Sequence, residues 1–269
     1  MSEPPRQTIL VQGLPTAYLT AGAGPDVLLL HGWGAHSGLV WPLAERLAQA
    51  GFRVHAPDLP GFGQTPPPAV PWSVREYAAF ALAFLDALGI GMVYLFGHSF
   101  GGRLGLILGS QHASRVIKMA LSNSAGVRKQ PTASARFRLG VYRLALRIMR
   151  GIGLLGAADN LRAWYIGRYG SADYKSAAGV MRDTFVKVVN EDLLPFAARI
   201  AVPTLLFWGD QDEDTPLWQG RLLEQTIPDA GLVLFPGAGH YAYLDRLSDT
   251  VRVLNHFFNQ DNGSQSRAS

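Results

Sequence analysis

Short apolar, β-branched runs alternate with helix-period patterns over most of the chain. Strands are expected at Thr8–Val11, Thr16–Thr20, Asp26–Leu30, Arg53–Ala56, Met92–Phe96, Val116–Leu121, Thr204–Trp208 and Leu232–Phe235. Helices are expected at Leu39–Ala50, Val74–Leu88, Gly101–Gln111, Leu217–Thr226 and Leu244–Phe258. Ser73-Val-Arg-Glu76 is a capping box that fixes the start of the second helix. Only Gln12 to Pro15 joins the first two runs, which predicts a hairpin. The later runs are separated by helices, so they should lie parallel and be covered on both faces. Such an α/β sheet carries its reactive groups in loops at the strand C-termini.

The alternation stops between about Val127 and Pro195. A helical insertion there, packed as a cap over the active edge, divides the chain into a core (1–126 and 196–260), a cap (127–195) and a flexible tail (261–269). Residues 127–190 hold twelve Lys/Arg against three acids, a net +9 that leaves the rest of the chain at −5. The plainer reading is a solvated outer face, with Phe137, Val141, Leu144, Ala145 and Ile148 turned inward. The other is attraction of an acidic substrate, an acidic carrier protein or an anionic membrane surface.

Composition narrows the classes. With 269 residues, 48% hydrophobic and 16% charged, the chain can bury one large core. The absence of cysteine excludes disulfide scaffolds, thiolate catalysis and cysteine–metal sites. A net charge of +4 without a Lys/Arg block gives no case for nucleic acid. Tyr77 to Phe96 carries only Asp86 as a charge, but Gly89-Ile-Gly91 splits it into helix and strand, so no membrane span is expected. The N-terminus lacks the apolar run of a signal peptide, which points to the cytoplasm.

Gly97-His-Ser-Phe-Gly101 follows a strand and opens a helix, the context of a nucleophile elbow, with Ser99 at the tip of the sheet. The alternative is a plain glycine-rich connection. A serine needs a base, and His240, in the loop after the last strand, is the best placed of seven histidines. His98 adjoins Ser99, but neighbouring side chains on such a turn diverge, which marks it for packing. The base needs a carboxylate. Asp212 is preferred in the acidic loop after Trp208, with Asp210 as fallback and Glu213 or Asp214 as solvated or helix-capping groups. A carboxylate after the strand that follows the elbow is ruled out, because Leu121-Ser-Asn-Ser-Ala125 contains none. Oxyanion donors are expected from Phe100 N–H and, in His31-Gly-Trp-Gly34, from Trp33 N–H.

Those motifs, with Asp58-Leu-Pro-Gly-Phe-Gly63 and Trp208-Gly-Asp-Gln-Asp212, resemble the α/β-hydrolase superfamily over about residues 8–126 and 196–258. The resemblance implies an α/β-hydrolase fold: a mostly parallel eight-stranded sheet with a cap after the sixth strand, and no metal or organic cofactor. A serine nucleophile separates the chain from dehalogenase and epoxide-hydrolase relatives, which use aspartate. The His-Gly-Gly-Pro-Gly loop of proline iminopeptidases and the Ser-Gly-Pro-Gly loop of ring-fission C–C hydrolases are absent, and perhydrolase relatives usually carry proline near Gly34. The His-Gly-Trp-Gly loop is similar to that of pimeloyl-carrier methyl ester esterases, whose basic caps bind an acidic carrier. Those enzymes typically have Trp where this chain has His98. The expected function is hydrolysis of a small-molecule carboxylic ester in a mainly hydrophobic pocket, with activity rising through neutral pH as a histidine base loses its proton. C–C bond or lactone hydrolysis and non-catalytic ligand binding are the alternatives.

Overall fold

All eight apolar runs become strands in the computed structural model, which describes residues 4–128 and 132–260. They are β1 (Gln7–Val11), β2 (Leu14–Ala21), β3 (Asp26–Leu30), β4 (Arg53–Pro57), β5 (Val93–His98), β6 (Val116–Ser122), β7 (Thr204–Gly209) and β8 (Ala230–Phe235). They pair in the order β1-β2-β4-β3-β5-β6-β7-β8. β1 and β2 form the predicted hairpin, closed through Gln12 and Gly13 at φ 48° and 81°, the two positive values a tight two-residue turn requires. β2 runs antiparallel to β4, and every pairing from β4 to β8 is parallel.

The helices are α1 (Ser37–Gln49), α2 (Val74–Ala87), α3 (Phe100–Gln111), α4 (Ala133–Gly151), α5 (Leu155–Tyr169), α6 (Ala172–Ser176), α7 (Gly179–Asn190), α8 (Leu194–Ala197), α9 (Leu217–Thr226), α10 (Ala242–Asp245) and α11 (Leu247–Asn259). The capping box at Ser73 and Glu76 is formed at the start of α2. Alternate strand residues feed opposite layers. Leu28 and Leu30 join a core under α2, α3, α8 and α9, while Val27 and Leu29 join one under α1, α10 and α11. Among the described residues no helix is long and apolar enough to cross a membrane. The segment expected as a tail, 261–269, and Lys129 of the basic segment lie outside the described residues.

Two expectations need correction. The helix expected over Leu244–Phe258 is broken at Arg246 into α10 and α11. The break lets Tyr243 pack on Phe96 and His98 while Phe258 stacks on Tyr94. In the insertion, Phe137, Val141, Leu144 and Ile148 do not face inward: they are 76%, 52%, 58% and 53% exposed, and α4 has no fully buried residue. The half-buried positions are instead Ala135, Leu139, Tyr142, Ala145, Leu146 and Met149, and Tyr142 stacks on Tyr165 of α5 at 3.9 Å. Of the five predicted inward residues only Ala145 is sheltered. α4 carries two apolar stripes, and periodicity alone does not say which one meets the protein.

Candidate active site

Five adjacent strands, β3, β5, β6, β7 and β8, each deliver one segment to the same sheet edge. They end at His31, Ser99, Asn123, Asp212 and His240 respectively, or lead into them through a short loop. Ser99 sits between β5 and α3 at φ 51°, ψ −103°, a left-handed conformation unusual for a residue with a Cβ. The turn closes because its flanks are glycine. A Cβ at Gly97 would lie 2.6 Å from the Gly101 carbonyl oxygen, and one at Gly101 only 2.2 Å from that of Leu30. Backbone bonds hold the turn: Ser99 N–H donates to Ser122 O, Gly101 N–H to His31 O, and Ala125 N–H to Ser99 O.

The elbow points its hydroxyl at the predicted imidazole. His240 Nε2 is 3.0 Å from Ser99 Oγ, and His240 Nδ1 is 2.9 Å from Asp212 Oδ2. Asp212 is 4% exposed and receives four further hydrogen bonds. Asp214 N–H and Thr215 N–H donate to Oδ1 at 2.8 and 2.9 Å; the Asn123 amide and the Thr215 hydroxyl donate to Oδ2, both at 2.6 Å. Burial pushes this carboxyl up, but the bonds from His240 and Thr215 outweigh it and hold it down at about 2. Asp212 is therefore an anion that accepts from Nδ1–H, which leaves Nε2 free to accept the serine proton.

Asp210 is exposed, binds Gly237 N–H, and does not reach the imidazole. Glu213 and Asp214 are exposed, and Pro216 at the start of α9 supplies no side-chain cap. Asn123 and Thr215 are site residues that the sequence reading missed. Asn123 stands in the stretch dismissed for having no carboxylate, and its φ of 46° is of a kind asparagine tolerates better than most residues. Thr215 follows Asp212 by three residues, the spacing of a side-chain-closed turn.

Two more histidines are buried beneath this edge. His31 Nδ1–H donates to Gly32 O at 2.7 Å and Nε2 accepts from Leu59 N–H at 3.0 Å, which anchors the His31-Gly-Trp-Gly34 loop. Burial lowers its pKa to about 4. His98 Nδ1–H donates to Ser122 O, and its ring packs 4.9 Å from those of His240 and Tyr241. Burial, reinforced by repulsion from His240, lowers it to about 3, so it is a neutral packing ring at ordinary pH.

A cavity of about 250 Å³ opens over Ser99 and His240, bordered by Trp33, Phe100, Tyr241 and the α7 residues Phe185, Val188 and Val189. As the first residue of α3, Phe100 has an N–H with no intrahelical acceptor, and Trp33 lines the same cavity. The pocket is not mainly hydrophobic as expected, because Arg103, Ser171, Asp173 and Asp214 also border it. Arg103 is buried and donates to Val188 O and Glu191 O, tying α3 to the end of α7. Burial lowers its pKa to about 10, which still leaves it cationic. Among the described residues, Asp212, Asp214 and His240 could offer three ligand atoms to a metal ion. An ion there would have to break the Asp212–His240 bond and displace donors that already fill the carboxylate.

A family model described as the alpha/beta hydrolase fold matches residues 25–247. A pimeloyl-[acyl-carrier protein] methyl ester esterase from Chromobacterium violaceum is 33% identical over 250 residues, covering 87% of this chain and 94% of that protein. A 2-hydroxymuconate semialdehyde hydrolase from Pseudomonas putida is 32% identical over 263 residues, covering 93% and 92%. Among solved structures, a meta-cleavage product hydrolase from Pseudomonas fluorescens superposes with a TM-score of 0.72 at 24% identity, covering 94% of this chain and 97% of that one.

Proposed function

The chain belongs to the α/β-hydrolase family, and from that premise we propose that it is a serine hydrolase that cleaves carboxylic esters of small molecules through an acyl-enzyme. The observation that carries this reading is the unbroken relay from Ser99 Oγ through His240 to the Asp212 carboxylate, at 3.0 and 2.9 Å. In this reading Ser99 attacks the ester carbonyl while His240 Nε2 takes its proton. The amides of Trp33 and Phe100 stabilise the oxyanion. The imidazolium, steadied by Asp212, protonates the departing alcohol, and water repeats the sequence to release the acid. The inserted helices act as a cap, since α7 walls the cavity with Phe185 and Val188.

The 32% identity to a semialdehyde hydrolase favours a second reading, in which the same relay serves hydrolysis of a C–C bond; a lactone is the third substrate the chemistry admits. A panel of p-nitrophenyl esters, a lactone and a dienone, followed by product analysis, separates these. Ser99→Ala should abolish the acyl-enzyme burst on the ester and labelling by a fluorophosphonate. Undiminished turnover in that variant would remove the mechanism.

A further inference from the structure

The solvent-exposed side of α4 is built in two parallel rows, and Phe137 and Val141 of the first also border an apolar groove with Leu161 and Trp164 of α5. At 100° per residue, Phe137, Val141, Leu144 and Ile148 of α4 fall within about 60° of one another, and all are more than half exposed. Ile152, Leu154 and Leu155 carry the apolar surface into the α4–α5 connection at 67%, 52% and 61% exposure. Along one flank run Arg136, Arg143, Arg147 and Arg150, also within about 60°, and α4 contains no acid at all. The inward stripe of α4, with Tyr142 stacked on Tyr165, already supplies its tertiary packing, so this second stripe is not needed to hold the helix in place.

We propose that the α4–α5 hairpin docks on an anionic phospholipid surface. The Phe137–Ile148 stripe enters the interfacial layer, and the arginine row lies at headgroup height against phosphates. Contiguous exposed apolar surface of this extent marks an interaction site. A hydrocarbon row flanked along its length by cations is the pattern of a helix lying in a membrane interface. The stripe consists of hydrocarbon side chains, which suits acyl chains better than the polar rim of a folded acidic protein. A second copy is a poor occupant, because a two-fold pairing brings two acid-free arginine rows close together. This inference is independent of the bond cleaved at Ser99.

The test is sedimentation of the full-length protein with vesicles of phosphatidylcholine alone and of phosphatidylcholine mixed with phosphatidylglycerol. The protein should pellet with the mixed vesicles, release in high salt, and bind neutral vesicles at least about tenfold less. Phe137→Ser/Leu144→Ser/Ile148→Ser should abolish pelleting. Arg143→Gln/Arg147→Gln should lower the anionic partition by about thirtyfold. Both variants should keep the parent's melting temperature and turnover of a water-soluble ester. A parent that stays in the supernatant with mixed vesicles overturns the proposal in favour of an acidic protein partner. A parental dimer in light scattering that the triple serine variant dissolves overturns it in favour of a second copy. Equal pelleting of parent and triple variant overturns it as well.

Discussion

Asp212→Asn tests the relay at its most heavily bonded point. Asp214 and Thr215 N–H hold Oδ1, so the introduced amide nitrogen would take the place of Oδ2 and face His240 Nδ1. A donor there forces the imidazole proton onto Nε2, where it points at Ser99 Oγ and cannot accept from it. The same exchange in a serine protease triad lowers kcat about ten-thousandfold, or about 5 kcal/mol of transition-state stabilisation. The structure also offers a repair. Asn123 Nδ2 is 2.6 Å from Asp212 Oδ2, which is itself 2.9 Å from Nδ1. Asn123→Asp in the Asp212→Asn background would return a carboxylate to the neighbourhood of the ring, to take over from position 212 as the acceptor of Nδ1–H. One charge-assisted bond, about 1.5–3 kcal/mol, should restore ten- to hundredfold in kcat. The assay is kcat and burst amplitude on a p-nitrophenyl ester, with melting curves to confirm folding. An Asp212→Asn enzyme within about tenfold of the parent would refute the assignment of Asp212. A double variant no faster than the single would refute the claim for position 123.

Acid should destabilise the protein through His31 and His98. Their native pKa values of about 4 and about 3 lie below the ordinary histidine value, so the unfolded chain binds the extra protons and stability falls as pH drops from about 6.5 toward 4. The expected slope is about 1.4 kcal/mol per pH unit for each ring, read by urea denaturation, and His98→Phe should roughly halve it. An unchanged slope would show that His98 is not held neutral. Arg103→Met should keep the fold but release Val188 O and Glu191 O, loosening α7 and raising KM more than it lowers kcat; an unchanged KM would separate the pocket from that tie. Gly101→Ala should cost more than about 3 kcal/mol in chemical denaturation, because its Cβ would meet the Leu30 carbonyl at 2.2 Å; near-parental stability would mean that the turn can relax.

Much of this architecture was legible because strands buried on both faces leave runs such as Val27-Leu-Leu-Leu30 that turn residues bound on either side. Gly97-His-Ser-Phe-Gly101 was legible for a steric reason that the two glycine contacts bear out. The rotation of α4 was not, since two apolar stripes on one helix give equal periodicity and only the neighbouring α5 decides between them. Asn123 escaped because the search at that strand end was for a charge, whereas the position supplies a donor to a charge brought from 89 residues further along the chain. Overall likeness does not divide the chemistries either: a methyl ester esterase is 33% identical and a semialdehyde hydrolase 32%.

That the reactive edge gathers one contribution from each of five neighbouring strands has a consequence for biosynthesis. Ser99 is synthesised early, but Asp212 and His240 come from the last quarter of the chain, beyond the inserted helices. If the proposed relay activates Ser99, a nascent polypeptide carries an inert hydroxyl until β7 and β8 have left the ribosome and docked. Covalent tagging of Ser99 on stalled chains of increasing length would thus time the completion of the whole sheet.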